Sequence, residues 1–259
     1  MVSSLNQGVG EKNPPILPKW EILYEDAHLL AVNKPAGVPM HRGGKHKVAM
    51  TAIEWARQYL KEHQPELLQA ENFRPAFMHR LDKETSGILV LAKTHPALVG
   101  LNRQLKKKKV RKEYLALVKG DIAREGRVTH SLRIIFDKKL WRRLVVVDPK
   151  EGMYARTEWR KGNVFQWKGV RVSLVRVIPL TGRTHQVRAH FSAIGHPVIG
   201  DRLYGDPEIN QLFFPLLQNR HFLHSSLIEF LHPISGRKIT LESPLPPDLQ
   251  YVLQNLTEI

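Results

Sequence analysis

Asp82 sits in the polar stretch His79-Arg80-Leu81-Asp82-Lys83-Glu84-Thr85-Ser86-Gly87, squeezed between Phe77-Met78 and the apolar run Ile88-Leu89-Val90-Leu91. A charged loop anchored on two buried strands is a common place for function. On residue types alone, an Asp beside an Arg is more often a salt bridge or turn residue than a catalyst. Lys106, Lys107, Lys108, Lys109, Arg111 and Lys112 form the densest charge run, directly ahead of Tyr114. Most such runs are solvated faces, but this one continues into an apolar strand and suits phosphate contact. Arg183 falls at the entrance of a helical pattern, and Tyr114 by periodicity alone reads as core. The 13 histidines invite pairings such as His185 with His190 or His224 with His232. No H-E-x-x-H, cysteine pair or carboxylate cluster supports a metal site.

Lys and Arg number 40 against 24 acids, a formal +16 over 259 residues, so the surface carries excess positive potential and nucleic acid is the leading partner class. The rival, an anionic membrane, lacks an apolar run of about 18 residues, a secretory h-region or an Arg-rich transit segment. A cytoplasmic protein without membrane association is expected. The absence of cysteine excludes disulfides, thiolate zinc sites and cysteine nucleophiles.

The elements that must position these residues are legible in part. Residues 1–18 hold Gly, Asn, Ser and Pro with few large apolar side chains, which predicts a flexible lead before a domain over 19–259. Strands are predicted over 21–25 and 28–32, ended by Lys34-Pro35-Ala36-Gly37, with a Gly-Gly basic loop over 42–47. Thr51 with Glu54 resembles a capping box, and Ile53, Ala56 and Leu60 recur at helical spacing, so 51–63 is a helix. A buried strand over 88–92 follows the Asp82 loop. Thr94 and Pro96 start a helix carrying Leu98, Leu101 and Leu105. Strands are predicted over 113–118, 127–135, 144–147, 155–159 and 170–178. A helix after Gly182-Arg183-Thr184 carries Val187, Phe191 and Ile194, with Gly195 and Pro197 closing it. Strands over 221–230 and 238–241 pair, and a short helix ends the chain. This order is not a regular βαβ alternation, so one α+β domain with a mostly antiparallel mixed sheet flanked by helices is expected.

The stretch HRLDKETSGILVLAKT closely resembles the central motif of the RluA-type pseudouridine synthases, which convert uridine in RNA to its C-glycoside isomer. Leu30-Ala31-Val32-Asn33-Lys34-Pro35-Ala36-Gly37 resembles the family's opening strand and turn. Lys112-Glu113-Tyr114-Leu115-Ala116-Leu117-Val118 resembles its tyrosine motif, and Gly182-Arg183-Thr184-His185-Gln186-Val187-Arg188-Ala189-His190 its arginine motif. Gly195 to Asp201 and Leu223 to Leu227 extend the similarity, which runs from about Trp20 to Asp248.

The resemblance implies an isomerase of ribosomal or transfer RNA that needs no metal or nucleotide cofactor, because the reaction involves no redox change and no net water. It implies that Arg80 fills the space left by a flipped base, and that Asp82 attacks C1′ or removes a sugar proton. Arg183 would pair with Asp82 and keep it ionised against desolvation. Tyr114 would stack on the uracil and help remove the C5 proton, and Leu180 would line the uracil pocket. His185 and Gln186 would support the arginine or a phosphate. The short segment before Trp20 implies the form without an S4-type module, acting as a monomer. A catalytically silent RNA-binding or folding factor on the same scaffold is the competing reading, and RNA hydrolysis a weaker third.

Overall fold

A computed structural model describes residues 19–43, 49–69, 73–138 and 141–259. The lead expected over 1–18 and positions 44–47 of the basic loop lie outside the described residues. In chain order come β1 (Glu21–Glu25), β2 (Leu29–Lys34), α1 (Ala52–His63), α2 (Glu66–Gln69), β3 (Ala76–Phe77), β4 (Ser86–Ala92), α3 (His95–Lys106) and β5 (Arg111–Lys119). Then follow β6 (Glu125–Val128), β7 (Leu132–Asp137), β8 (Arg142–Val147), β9 (Thr157–Trp167), β10 (Val170–Pro179) and α4 (Gln186–Ala193). The chain closes with α5 (Pro207–Leu217), β11 (Leu223–Leu231), β12 (Lys238–Glu242), α6 (Pro247–Gln254) and β13 (Thr257–Glu258).

Among the described residues, 11 strands form one sheet in the order β1-β2-β4-β11-β5-β10-β9-β13, with β12, β3 and β6 attached to β11, β4 and β9. Its pairings are antiparallel except β4 with β11, where Ser86 and Gly87 face His224 and Ser225. The fold is therefore the expected α+β architecture. Strand β4 lies mid-sheet and all seven of its residues are buried. Its period of two sends Leu89 and Leu91 to one face and Ile88, Val90 and Ala92 to the other. Helix α1 covers the first face with Trp55, Ala56 and Leu60, and α3 covers the second with Ala97 and Leu101. Each such fully buried Leu, Ile or Val contributes about 1.5–3 kcal/mol. The Asp82 loop thus enters directly into the best-anchored strand.

Helix α1 starts as predicted: the Thr51 side chain accepts from Glu54 N, and Glu54 accepts from Thr51 N at 3.0 Å. The single strand predicted over 127–135 is two elements, because the chain leaves the main sheet after Val128. Strands β7 and β8 form a separate two-stranded sheet. Strand β9 extends well past the predicted 155–159, held by β10, β6 and β13.

Candidate active site

The loop ahead of β4, the end of β10 and the entrance of α4 meet around a cleft of about 430 Å³, within the range of sites that hold small molecules. Asp82, Arg80, Tyr114, Lys112, Arg183 and Arg188 all line it. The Asp82 side chain is 24% exposed, so one side of the carboxylate is open to the cleft.

The cation on that carboxylate is Arg188, whose Nη1 donates to Asp82 Oδ2 at 2.8 Å. Sequence resemblance pointed to Arg183, and the structure corrects this. Arg183 lies in the turn before α4 and donates from Nε to the Tyr154 carbonyl at 3.1 Å. That turn is fixed by buried Gln186, whose Oε1 accepts from Thr181 Oγ1 and Arg183 N, while Nε2 donates to Arg156 O and Thr157 Oγ1. Arg188 stands one turn further on, on the buried side of α4. Its Nε and Nη2 donate to Asp201 Oδ2 and Oδ1 at 2.7 and 2.8 Å, a two-pronged pairing that leaves Nη1 for Asp82. Asp201 is itself held by Leu203 N and Tyr204 N.

Burial would raise the Asp82 carboxyl, but the His185 and Arg188 side chains beside it hold it below the usual carboxylate value. Arg188 is the permanent charge in this set. Burial lowers the His185 imidazole, and the Asp82 charge opposes that shift. Tyr204 Oη accepts from Val145 N at 2.9 Å, so its own O–H is available to His185 Nδ1 at 2.8 Å. The His185 proton then belongs on Nε2, which lies 3.9 Å from Asp82 Oδ1. His185 adopts φ +50°, a left-handed conformation that costs a non-glycine residue about 1–2 kcal/mol. The ring's position beside Asp82 is therefore imposed by its neighbours.

The loop is clamped from below. Thr85 Oγ1 meets His221 Nε2 at 2.8 Å, and Ser86 Oγ meets His224 Nδ1 at 2.8 Å while accepting from Arg220 Nη2. Fully buried Lys34 donates to the carbonyls of Pro35, Val38 and Lys83, tying the residue after Asp82 to β2. Burial pushes its ammonium down to about 7. Neither Lys34 nor Asp201 was singled out by sequence reasoning; a lysine inside an apolar strand is the signal that could have found the first.

Tyr114 projects from β5 on the face opposite Arg111 and Glu113. Burial, with the Asp82 charge adding to it, raises its hydroxyl to about 12. Leu180, 37% exposed, is part of the cleft wall. Arg80 is exposed at the cleft and has no carboxylate partner among the described residues. The basic run divides. Lys108 and Lys112 line the cleft, and Lys106, Lys107 and Lys109 lie exposed at the end of α3. Arg111 faces away, paired with Glu113 and with Glu229 at 3.2 Å.

A family model described as RNA pseudouridylate synthase matches residues 28–193. The ribosomal large subunit pseudouridine synthase C of Buchnera aphidicola is 37% identical over 238 residues, 91% of this chain and 70% of that protein. The ribosomal large subunit pseudouridine synthase D of Nitrosomonas europaea is 36% identical over 249 residues, 92% of this chain and 66% of that protein. Among solved structures, human RNA pseudouridylate synthase domain containing 1 superposes with a TM-score of 0.71 at 26% identity, covering 96% of this chain and 92% of that one.

Proposed function

Since the chain belongs to the RNA pseudouridylate synthase family and is an RNA isomerase, we propose that Asp82 is its catalytic carboxylate, acting on a uridine flipped out of ribosomal or transfer RNA. The observation that carries this reading is the Asp82 carboxylate itself, open to the cleft on one side and paired with Arg188 at 2.8 Å on the other. The reaction breaks C1′–N1, turns the uracil and joins C5 to C1′; the proton on C5 leaves and N1, freed from the sugar, takes one up. Asp82 serves it as an anion, either by attacking C1′ or by removing a sugar proton. Arg188 keeps that anion available at neutral pH.

Extracting a stacked base costs a few kcal/mol. Arg80, unpaired at the cleft, is suited to fill the vacated stack, since a guanidinium can stack and bind phosphate at once. The ring of Tyr114 offers a stacking face for the uracil, worth about 1–3 kcal/mol. With its hydroxyl near 12, about one molecule in 10⁵ is phenolate at neutral pH. Its resting form is therefore the neutral phenol, which suits stacking. Arg183, Lys108 and Lys112 place positive charge along the walls for the backbone, with Lys106, Lys107 and Lys109 beyond them.

The test is release of tritium from RNA labelled at uridine C5. Wild type should release it, and Asp82→Asn should lose at least about 10⁴-fold while still binding RNA. Equal release by both, or silence from both, would sink the assignment.

A further inference from the structure

Strands β7 and β8 leave the main sheet as a two-stranded hairpin whose outer half is uncovered. The register places Leu132 opposite Val147, Ile134 opposite Val145 and Phe136 opposite Arg143, so these six side chains share one face. At the base, Leu132 and Val145 are buried against Ala155 and Ala189, with Tyr204 packed beside them. Further out, Ile134 is 53% and Phe136 50% exposed, and Trp141 at the tip is 76% exposed with its ring edge-on to Phe136 at 5.2 Å. Arg143 and Lys138 are exposed on the same outer half, and neither has a carboxylate partner among the described residues.

The buried base of this face is linked to the site through Tyr204. Val145 N donates to Tyr204 Oη, the Arg188 guanidinium lies 5.1 Å from the Tyr204 ring centroid, and Arg188 holds Asp82. From the hairpin's other margin, Leu132 bridges to Met153. Next to Met153, Tyr154 accepts from Arg183 and has Lys108 Nζ 5.9 Å from its ring. Aromatic faces interleaved with unpaired cations suit a single-stranded nucleic acid, which offers bases to stack and phosphates to pair. The outer half spans about 10 Å at roughly 3.3 Å per residue, room for a short run of unpaired nucleotides.

Resting on the isomerase reading above, we propose that the β7–β8 hairpin is a platform for unpaired nucleotides flanking the target uridine. Phe136 and Trp141 stack bases, and Arg143 and Lys138 meet phosphates. The probe is a fluorescein-labelled 12-nucleotide oligouridylate, with a fully paired 12-base-pair RNA duplex as comparison. Trp141→Ala should weaken oligouridylate binding about tenfold and duplex binding less than twofold. Trp141→Phe should restore most of the loss, and Arg143→Ala should lower the slope of log affinity against log salt by about one. Because Trp141 is 76% exposed, its removal leaves the urea midpoint unchanged, separating binding from folding. In the tritium assay on cellular RNA from cells lacking the protein, the Trp141→Ala loss should appear in KM rather than kcat. Oligouridylate affinity untouched by Trp141→Ala, or duplex affinity falling equally, overturns the proposal. A wild type that releases no tritium yet loses oligouridylate binding through Trp141→Ala would overturn the isomerase reading alone.

Discussion

Arg188 is the one guanidinium in the site committed to two carboxylates, gripping Asp201 with Nε and Nη2 and Asp82 with Nη1. Removing it leaves two partly or wholly buried carboxylates uncompensated, which costs about 3–5 kcal/mol. The sign for activity follows from Asp82. Its pKa is depressed in the folded protein, so the active anion persists until pH falls through that low value. Without Arg188 burial is opposed only by His185 and His221, and the anion is lost at higher pH. Arg188→Gln should move the acid limb of kcat/KM upward by about one pH unit or more and lower the plateau about 100-fold. Arg183→Ala should lower activity without moving the limb. Tritium release measured from pH 4.5 to 8 distinguishes them, and a stationary limb in Arg188→Gln would rule out its hold on Asp82. Asp82, Arg80 and Tyr114, singled out where motif and spacing coincide, come together at one cleft. The expected pairing of Arg183 with Asp82 is not met, since a second arginine of the same motif, Arg188, holds the carboxylate. Helical periodicity held the answer: position 188 lies one turn from buried Phe191, so its guanidinium points inward and needs buried partners.

At the scale of elements, the site depends on the parallel seam between β4 and β11. Gly87 adopts φ +112°, and a Cβ there would lie 2.2 Å from the Ser225 carbonyl oxygen. No side-chain rotation relieves a clash with backbone, so the strands would have to part and carry the Asp82 loop with them. Gly87→Ala should destabilise by about 3 kcal/mol or more and lose most activity, even though it deletes no functional group. Urea unfolding gives the first quantity, and a change under about 1 kcal/mol would mean that the seam tolerates opening. Where local signals are strong, elements were readable: the Thr51–Glu54 box starts α1, and the Ile88–Ala92 run lies within β4. Where tertiary pairing decides, they were not. The polar Arg160-Lys161-Gly162-Asn163 stretch belongs to β9 only because strands on both sides hold it. Helix α5 has an Asp206 cap but carries Pro215 inside, which breaks its pattern.

Across the whole molecule, the clamp beneath Asp82 relies on histidines that are neutral when folded. Burial pushes His79 and His221 down to about 3 and His224 to about 4. The His224 tautomer is set by its partners: Nε2 donates to the Ser243 carbonyl, so Nδ1 accepts from Ser86. Near pH 7 both folded and unfolded chains hold these rings neutral, and they contribute no pH dependence. As pH falls through the unfolded value near 6.5, the unfolded chain takes up three protons that the native state refuses. Stability should therefore drop by about 4 kcal/mol per pH unit between roughly pH 5.5 and 4.5. Asp82 and Asp201, both depressed, add their own loss only further down. Against a total of about 5–15 kcal/mol, this places acid unfolding near pH 4.5, where the excess of 40 basic over 24 acidic residues adds repulsion. Urea midpoints at half-unit steps from pH 7 to 4.5 measure the slope. His221→Gln, which preserves a bond to Thr85 but cannot take up a proton, should reduce that slope by about 1.4 kcal/mol per pH unit. If the slope is unchanged in that variant, His221 is not a neutral ring in the native clamp.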